Sequence, residues 1–257
     1  GPSDGERLPV IRRGFDGGGE LLKPSHLAQP VEGFPKTVLV TFQQKVAEAL
    51  LQRFPAETVS TVSACVKIPV YRFSCQGHTL GLYLTTLGGP AAVGILEEVW
   101  VKGAEKVLFF GTCGGLDPDL PAGHLIVPTA AYRDEGTSFH YLPASDYVEI
   151  PTADRLAAIF DELALPYVKT KTWTTDAIYR ETPGKVAERR AEGCGAVEME
   201  CASVMAAGQF RGKEVYQFLY TADSLAGSQW ERGLLGQTPA SEYERYLSVA
   251  LETAIRL

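Results

Sequence analysis

Short apolar runs alternate along this chain with stretches whose apolar residues recur at helical spacing. TVLVT (37–41) reads as a buried strand and passes into FQQKVAEALLQRF (42–54), where Val46, Leu50 and Phe54 repeat at one-turn intervals and predict a helix. CVKIPVYRFSC (65–75) and TLGLYLTTL (79–87) are β-rich and are separated by Gln76-Gly77-His78, which predicts a hairpin. Gly88-Gly89-Pro90 breaks the second strand and opens a helix through Trp100, with the proline in its first turn, where a missing N–H costs nothing. KVLFFGT (106–112) is almost wholly apolar and predicts a central strand buried on both faces. HLIVPTAAYRDEG (124–136) supplies another strand, and ADRLAAIFDEL (153–163) a helix after the Pro151-Thr152 turn. VKTKTWTTD (168–176) and GAVEM (195–199) read as strands, followed by the helices TPGKVAERRAEG (182–193) and CASVMAAGQF (201–210). EVYQFLYTAD (214–223) is a last strand, residues 224–240 are loop-like, and SEYERYLSVALETAIRL (241–257) closes the chain as an amphipathic helix.

Strands alternating with helices around one hairpin predict an α/β protein of three layers, α/β/α, with a sheet covered on both faces. Residues 1–36 are rich in glycine, proline and charge and read as an N-terminal arm laid on one domain spanning 37–257. No internal repeat or low-complexity linker calls for a second domain.

Composition narrows the function. At 257 residues with 45% hydrophobic and 21% charged residues, the chain is an ordinary soluble globular protein with room for a sizeable core. A net charge of −7 without basic clusters argues against a nucleic-acid or anionic-membrane surface. The five cysteines are scattered, with no CxxC pair, as in reduced thiols of a cytoplasmic protein. The four histidines have no ligand spacing, so no metal is expected. No GxSxG turn is present, and no cysteine has a histidine near it in sequence, which disfavours a serine or cysteine nucleophile.

In open α/β sheets ligands gather at the carboxyl ends of strands. Here those ends carry small, hydroxylated and acidic residues: Thr41-Phe42-Gln43, Gly88-Gly89, Gly111-Thr112-Cys113-Gly114, Thr175-Asp176, Met199-Glu200 and Ala222-Asp223. Each end alone reads as helix capping; six together read as a polar cleft. Gly111 and its neighbours offer backbone N–H groups, and Thr112 a hydroxyl, to an anion. Glu200, at a strand-to-helix junction, is placed to accept two hydrogen bonds from a vicinal diol such as the 2′ and 3′ hydroxyls of ribose, with Met199 as a soft surface for the sugar face. Glu198, earlier on the same strand, is expected to turn to the opposite side of the sheet and serve the scaffold, paired with an arginine. Asp223 reads either as a general acid for a leaving group or as a helix cap.

Taken in order, GGP (88–90), FFGTCGGL (109–116), DEGTSFHYLP (134–143), TWTTDAIYRET (172–182), VEMECAS (197–203) and TAD (221–223) resemble the nucleoside phosphorylase superfamily. That superfamily holds purine nucleoside phosphorylases, uridine phosphorylases and methylthioadenosine nucleosidases. The similarity runs from Thr37 to the C-terminal helix, VEMECAS is its most specific piece, and DEGTSFHYLP looks closest to the uridine branch. The resemblance implies a mixed, partly barrel-like central sheet and cleavage of an N-glycosidic bond through an oxocarbenium-like transition state. It makes Met199 and Glu200 the ribose-binding pair, Asp223 the leaving-group acid, and Thr112 with Gly111 the nucleophile side. It further implies base contacts at Tyr179, Arg180 and Asp176, and a homodimer or ring of dimers to which His140 or Arg133 is lent across the interface. No metal or organic cofactor is implied, only inorganic phosphate as co-substrate.

The chain departs from the family at the phosphate. Thr41-Phe42-Gln43-Gln44-Lys45 fills the place of a Gly-Asp-Pro-x-x-Arg loop, Phe109 that of an arginine, and Val66-Lys67 that of an arginine lent by a neighbour. Lys45 and Lys67 remain as point-charge substitutes. The uridine branch's base-reading Gln and Arg are absent in register from IYRETPG (178–184), whereas Asp223 matches the purine-cleaving members. A phosphorylase giving base and ribose 1-phosphate is the first expectation. The alternatives are a nucleosidase using water, for which Gln43, Gln44 and Glu48 stand near the first loop, and a nucleoside-binding relative without turnover.

Overall fold

The computed structural model describes residues 9–120, 124–221 and 242–257. One-turn helices α1 (Val10–Arg13) and α2 (Pro24–Leu27) form the arm. Strand β1 (Thr37–Thr41) leads into α3 (Gln44–Arg53), and β2 (Ala56–Ala64), β3 (Val66–Cys75) and β4 (His78–Leu84) follow as an antiparallel meander. Helix α4 (Gly89–Lys102) precedes β5 (Lys106–Thr112), the two-residue β6 (Gly114–Gly115), β7 (Leu125–Asp134) and β8 (Tyr147–Glu149). Helix α5 (Ala153–Glu162), β9 (Tyr167–Thr175), α6 (Pro183–Ala191), β10 (Cys194–Glu198), α7 (Cys201–Arg211), β11 (Glu214–Tyr220) and α8 (Glu242–Ala254) complete the order.

The expected elements are there, residues 222–241 lying outside the described ones; the hydrophobic pattern passes over the short β6 and β8, and the larger differences concern the sheet. The meander holds β2, which the hydrophobic pattern passes over. AETVSTVSA lies at the sheet edge with most of its side chains exposed or half-buried, so burial imposes no apolar alternation on it. The sheet is also not closed. Its path runs β2-β3-β4-β1-β5-β11-β7-β9-β10-β6, with β8 paired to β7, so the expected partial barrel is an open mixed sheet of 11 strands.

Strand β11 shows how the two faces are covered. Phe218 packs edge-on to Phe160 of α5, and Tyr220 stacks on Tyr246 of α8. Val215, one residue out of phase, presses on Gly208 of α7, where an added Cβ would lie 2.7 Å from its methyl. The odd positions of β11, Gln217 and Leu219 among them, therefore face the α7 side, as the two-residue period of a strand requires. Gln217 pairs in register with Phe109 of β5, and Leu219 with Gly111, so these four residues share that face. Among the described residues no helix is long and apolar enough to cross a membrane.

Candidate active site

The carboxyl ends of β5, β10 and β11 and the loop after β1 enclose a cavity of about 370 Å³. One wall is Glu198, Met199 and Glu200; another is Gly111 with Thr112; Phe42 and Gln217 lie toward β1 and β11; Ile178 and Glu181 form a rim.

The wall is set by how α7 begins. A helix start leaves backbone N–H groups without intrahelical partners. Glu198 takes two of them: the N–H groups of Glu200 and Cys201 both donate to its Oε2 at 2.7 Å. The Thr174 hydroxyl receives the third, from Ala202 at 3.0 Å, and itself donates to Glu198 Oε1 at 2.7 Å. Thr172 adds a second hydroxyl at 3.1 Å. Glu198 is thus a scaffold residue satisfied by hydroxyls and backbone, not by an arginine. It lines the same cavity as Glu200 rather than the far side of the sheet, because β10 ends at Glu198 and the chain turns there into α7, so that Glu198, Met199 and Glu200 all reach the cavity. Burial pushes its carboxyl above the usual range, and its four donors pull against that shift.

Glu200 is the other case. It is 4% exposed, and Gly88 N–H donates to its Oε2 at 2.9 Å. Its Oε1 has no hydrogen-bond partner among the described residues. Burial first, then the Glu198 charge, pushes its carboxyl up to about 8, with the Gly88 N–H pulling down and Asp176 adding a smaller push upward. Such a group is mostly neutral at pH 7 in the empty site, and it becomes the better acceptor once donors arrive.

Gly88 reaches Glu200 because α4 and α7 approach closely. Gly88 itself has φ +90°, in the region that favours glycine, and a Cβ on Gly89 would sit 2.3 Å from Ser203 Oγ and 2.8 Å from Thr137 Oγ1. Gly89→Ala is expected to cost about 2 kcal/mol by overpacking and to weaken ligand binding by moving Gly88 away from Glu200. Thermal melts and titration calorimetry with a nucleoside check both effects. Glu135 braces the same corner, its Oε2 accepting from Ser203 Oγ at 2.7 Å and from Ser138 N–H at 2.9 Å.

The remaining sequence-chosen residues divide. Thr112 and Gly111 line the cavity with Met199 and Glu200. From the loop after β9 the cavity takes Ile178 and Glu181, whereas Tyr179 is 94% exposed and Arg180 is exposed beside it. Asp176 lines a neighbouring cavity of about 430 Å³, where it accepts Gly136 N–H at 3.0 Å. Lys45 is exposed and lies over the Tyr243 ring, 5.4 Å from its centroid, and Lys67 is exposed near the β2–β3 turn; neither lines the cavity. His140 is exposed. Arg133 is buried and used within its own chain, donating to Ser138, Ser145, Pro143 and Leu142 and lying over the Phe139 ring. Asp223 lies outside the described residues. Cys113 also lines the cavity, but burial pushes its thiol up to about 12, so it holds its proton and is a poor nucleophile.

A family model described as the phosphorylase superfamily matches residues 36–253. The chain belongs to the phosphorylase superfamily. It is 29% identical over 157 residues to an uncharacterized protein, R802, of Acanthamoeba polyphaga mimivirus, covering 60% of each chain. It is 32% identical over 147 residues to a guanosine phosphorylase of Halorubrum lacusprofundi, covering 54% of this chain and 58% of that one. It is 25% identical over 186 residues to a purine nucleoside phosphorylase, DeoD-type, of a Geobacillus strain, covering 71% and 77%. The chain spans less than two thirds of the length of the first two relatives.

Within this superfamily member, motif reading passes over Gln217 and Glu181 as cavity residues and names Phe42 only as part of the strand end Thr41-Phe42-Gln43. Phe42 follows a strand and looks like loop packing, yet its ring lies on Gly111, where a Cβ would be 2.8 Å from it. Gln217 carries a legible signal: a lone amide between Tyr216 and Phe218 in an otherwise apolar central strand.

Proposed function

We propose that the protein cleaves the N-glycosidic bond of a nucleoside, with the ribose held by Met199 and Glu200. The observation that carries this reading is the buried Glu200 carboxyl, anchored on one oxygen by Gly88 and presenting the other at a cavity wall. A vicinal diol offers paired O–H donors to such a group, and the Met199 side chain beside it suits an apolar sugar face. Phosphorolysis, giving base and ribose 1-phosphate, is supported by the names of the relatives; the nucleophile then lies at Thr112 and the Gly111 backbone. Asp223 keeps the leaving-group role on sequence resemblance alone. The same resemblance supports a homo-oligomer whose subunits complete each other's sites.

Hydrolysis is favoured by a separate observation. The described lining residues include three glutamates, Glu181, Glu198 and Glu200, and no lysine, arginine or histidine. A phosphate dianion entering such a lining gives up its hydration with no cation among those residues to offset the loss.

A chromatographic screen of purine and pyrimidine nucleosides, each with and without phosphate, tests the proposal. Base release from at least one nucleoside is expected, and the sugar product tells phosphorolysis from hydrolysis. Silence across the whole panel sinks the glycosidic reading.

A further inference from the structure

Resting on the nucleoside-cleaving reading, we infer that Gln217 is the residue that positions the nucleophile, and that the nucleophile it holds is water. Gln217 is 3% exposed, its Oε1 is buried with no hydrogen-bond partner among the described residues, and it lines the cavity that Glu200 walls. An unmatched acceptor in a central strand is costly, so its retention at a cavity points to a ligand that supplies the missing donor. Water supplies one. A phosphate dianion has a single O–H among otherwise accepting, charged oxygens, and could meet Oε1 only by bringing that charge into a lining with no cation among its described residues.

The surroundings agree. Gln217 shares its sheet face with Phe109 and Gly111, and the Phe42 ring leans over both, 6.1 Å from the Phe109 centroid and packed on Gly111. The corner at the end of β5 is therefore roofed by an aromatic ring and floored by an uncharged amide. A small neutral molecule fits that chemistry better than a desolvated dianion. Thr112, at the same cavity, adds a hydroxyl on the nucleophile side.

In the step this implies, water donates one hydrogen bond to Gln217 Oε1 and turns a lone pair toward the anomeric carbon. The C1′–O bond forms as the C1′–N bond breaks, and the bonding pair leaves with the base. The water oxygen becomes the anomeric hydroxyl of free ribose. One water proton stays on it, and the other balances the proton the departing base takes up. Gln217 orients and does not itself exchange a proton.

The test compares the full-length wild type with Gln217→Leu, a substitution of similar size that removes the amide. Wild type is expected to release base and free ribose at a rate independent of added phosphate. Gln217→Leu is expected to lose about 100-fold in kcat with KM unchanged, the scale of a mispositioned reactant, and to keep the melting temperature of wild type. A purely structural glutamine predicts the reverse, a lower melting temperature with kcat kept. Phosphate-dependent turnover giving ribose 1-phosphate overturns this inference and leaves the glycosidic reading standing, as does Gln217→Leu with wild-type kcat. No base release from any nucleoside, with or without phosphate, overturns both.

Discussion

Glu200→Gln is expected to lower kcat/KM for the nucleoside by about 10³-fold while making the empty protein more stable. The loss follows from two charge-assisted hydrogen bonds to a diol, each worth roughly 1.5–3 kcal/mol, of which the amide reproduces at most one without charge. The gain follows from the carboxyl's ionisation. In the folded protein it holds its proton up to about 8, because it is buried and faces Glu198. In the unfolded chain an ordinary glutamate loses its proton near pH 4.3. Between those values the folded form binds more protons than the unfolded one, so stability falls as pH rises through this window and stops falling above about 8. The amide does not titrate and escapes this cost, which approaches about 5 kcal/mol by pH 8. Melting temperatures of the two proteins should therefore be close at pH 5 and diverge by pH 8, with the variant higher. Wild-type kcat/KM should rise toward a plateau above about pH 8, as the diol-binding carboxylate becomes populated. A variant with unimpaired kcat/KM would remove Glu200 from the ribose site.

Glu198→Ala, two residues away, is expected to do the opposite to stability. Its carboxylate satisfies the N–H groups of Glu200 and Cys201 and the hydroxyls of Thr172 and Thr174, all of them buried. Removing it leaves those donors unmatched at the start of α7, a loss of about 4 kcal/mol from stranded donors and the missing cap. For a domain of this size that is a drop of about 10 °C in Tm. Glu198→Gln keeps one acceptor and should lose about half as much. Urea unfolding at pH 7 reads both, and an alanine variant within about 0.5 kcal/mol of wild type would mean that α7 does not depend on Glu198.

These two glutamates mark where sequence reading stops. Both stand in one short motif, VEMECAS, and both are carboxylates in an apolar context. Nothing in the string says that Thr172 and Thr174 of the neighbouring strand approach one of them while Gly88, from a distant turn, approaches the other. The assignment of partners is a property of strand register, of β10 against β9, and of the close approach of α4 to α7. The same holds for the loop after β9. An aromatic and a basic residue, Tyr179 and Arg180, attract attention in the sequence, yet the 3-10 turn there sends Tyr179 to solvent and brings Ile178 and Glu181 to the cavity.

The sequence by itself determined the order of strands and helices, because burial imposes its period directly on each element, as in Thr37–Thr41, Lys106–Thr112 and Glu214–Tyr220. It also carried the family, through motifs at the carboxyl ends of those strands. Only the tertiary structure decided that the sheet stays open, that exposed Ala56–Ala64 joins it as an edge, and that Lys45 and Lys67 stand away from the cavity. It alone placed Gln217 and Phe42 beside Glu200, because those contacts join residues far apart in the chain, and no local period records them.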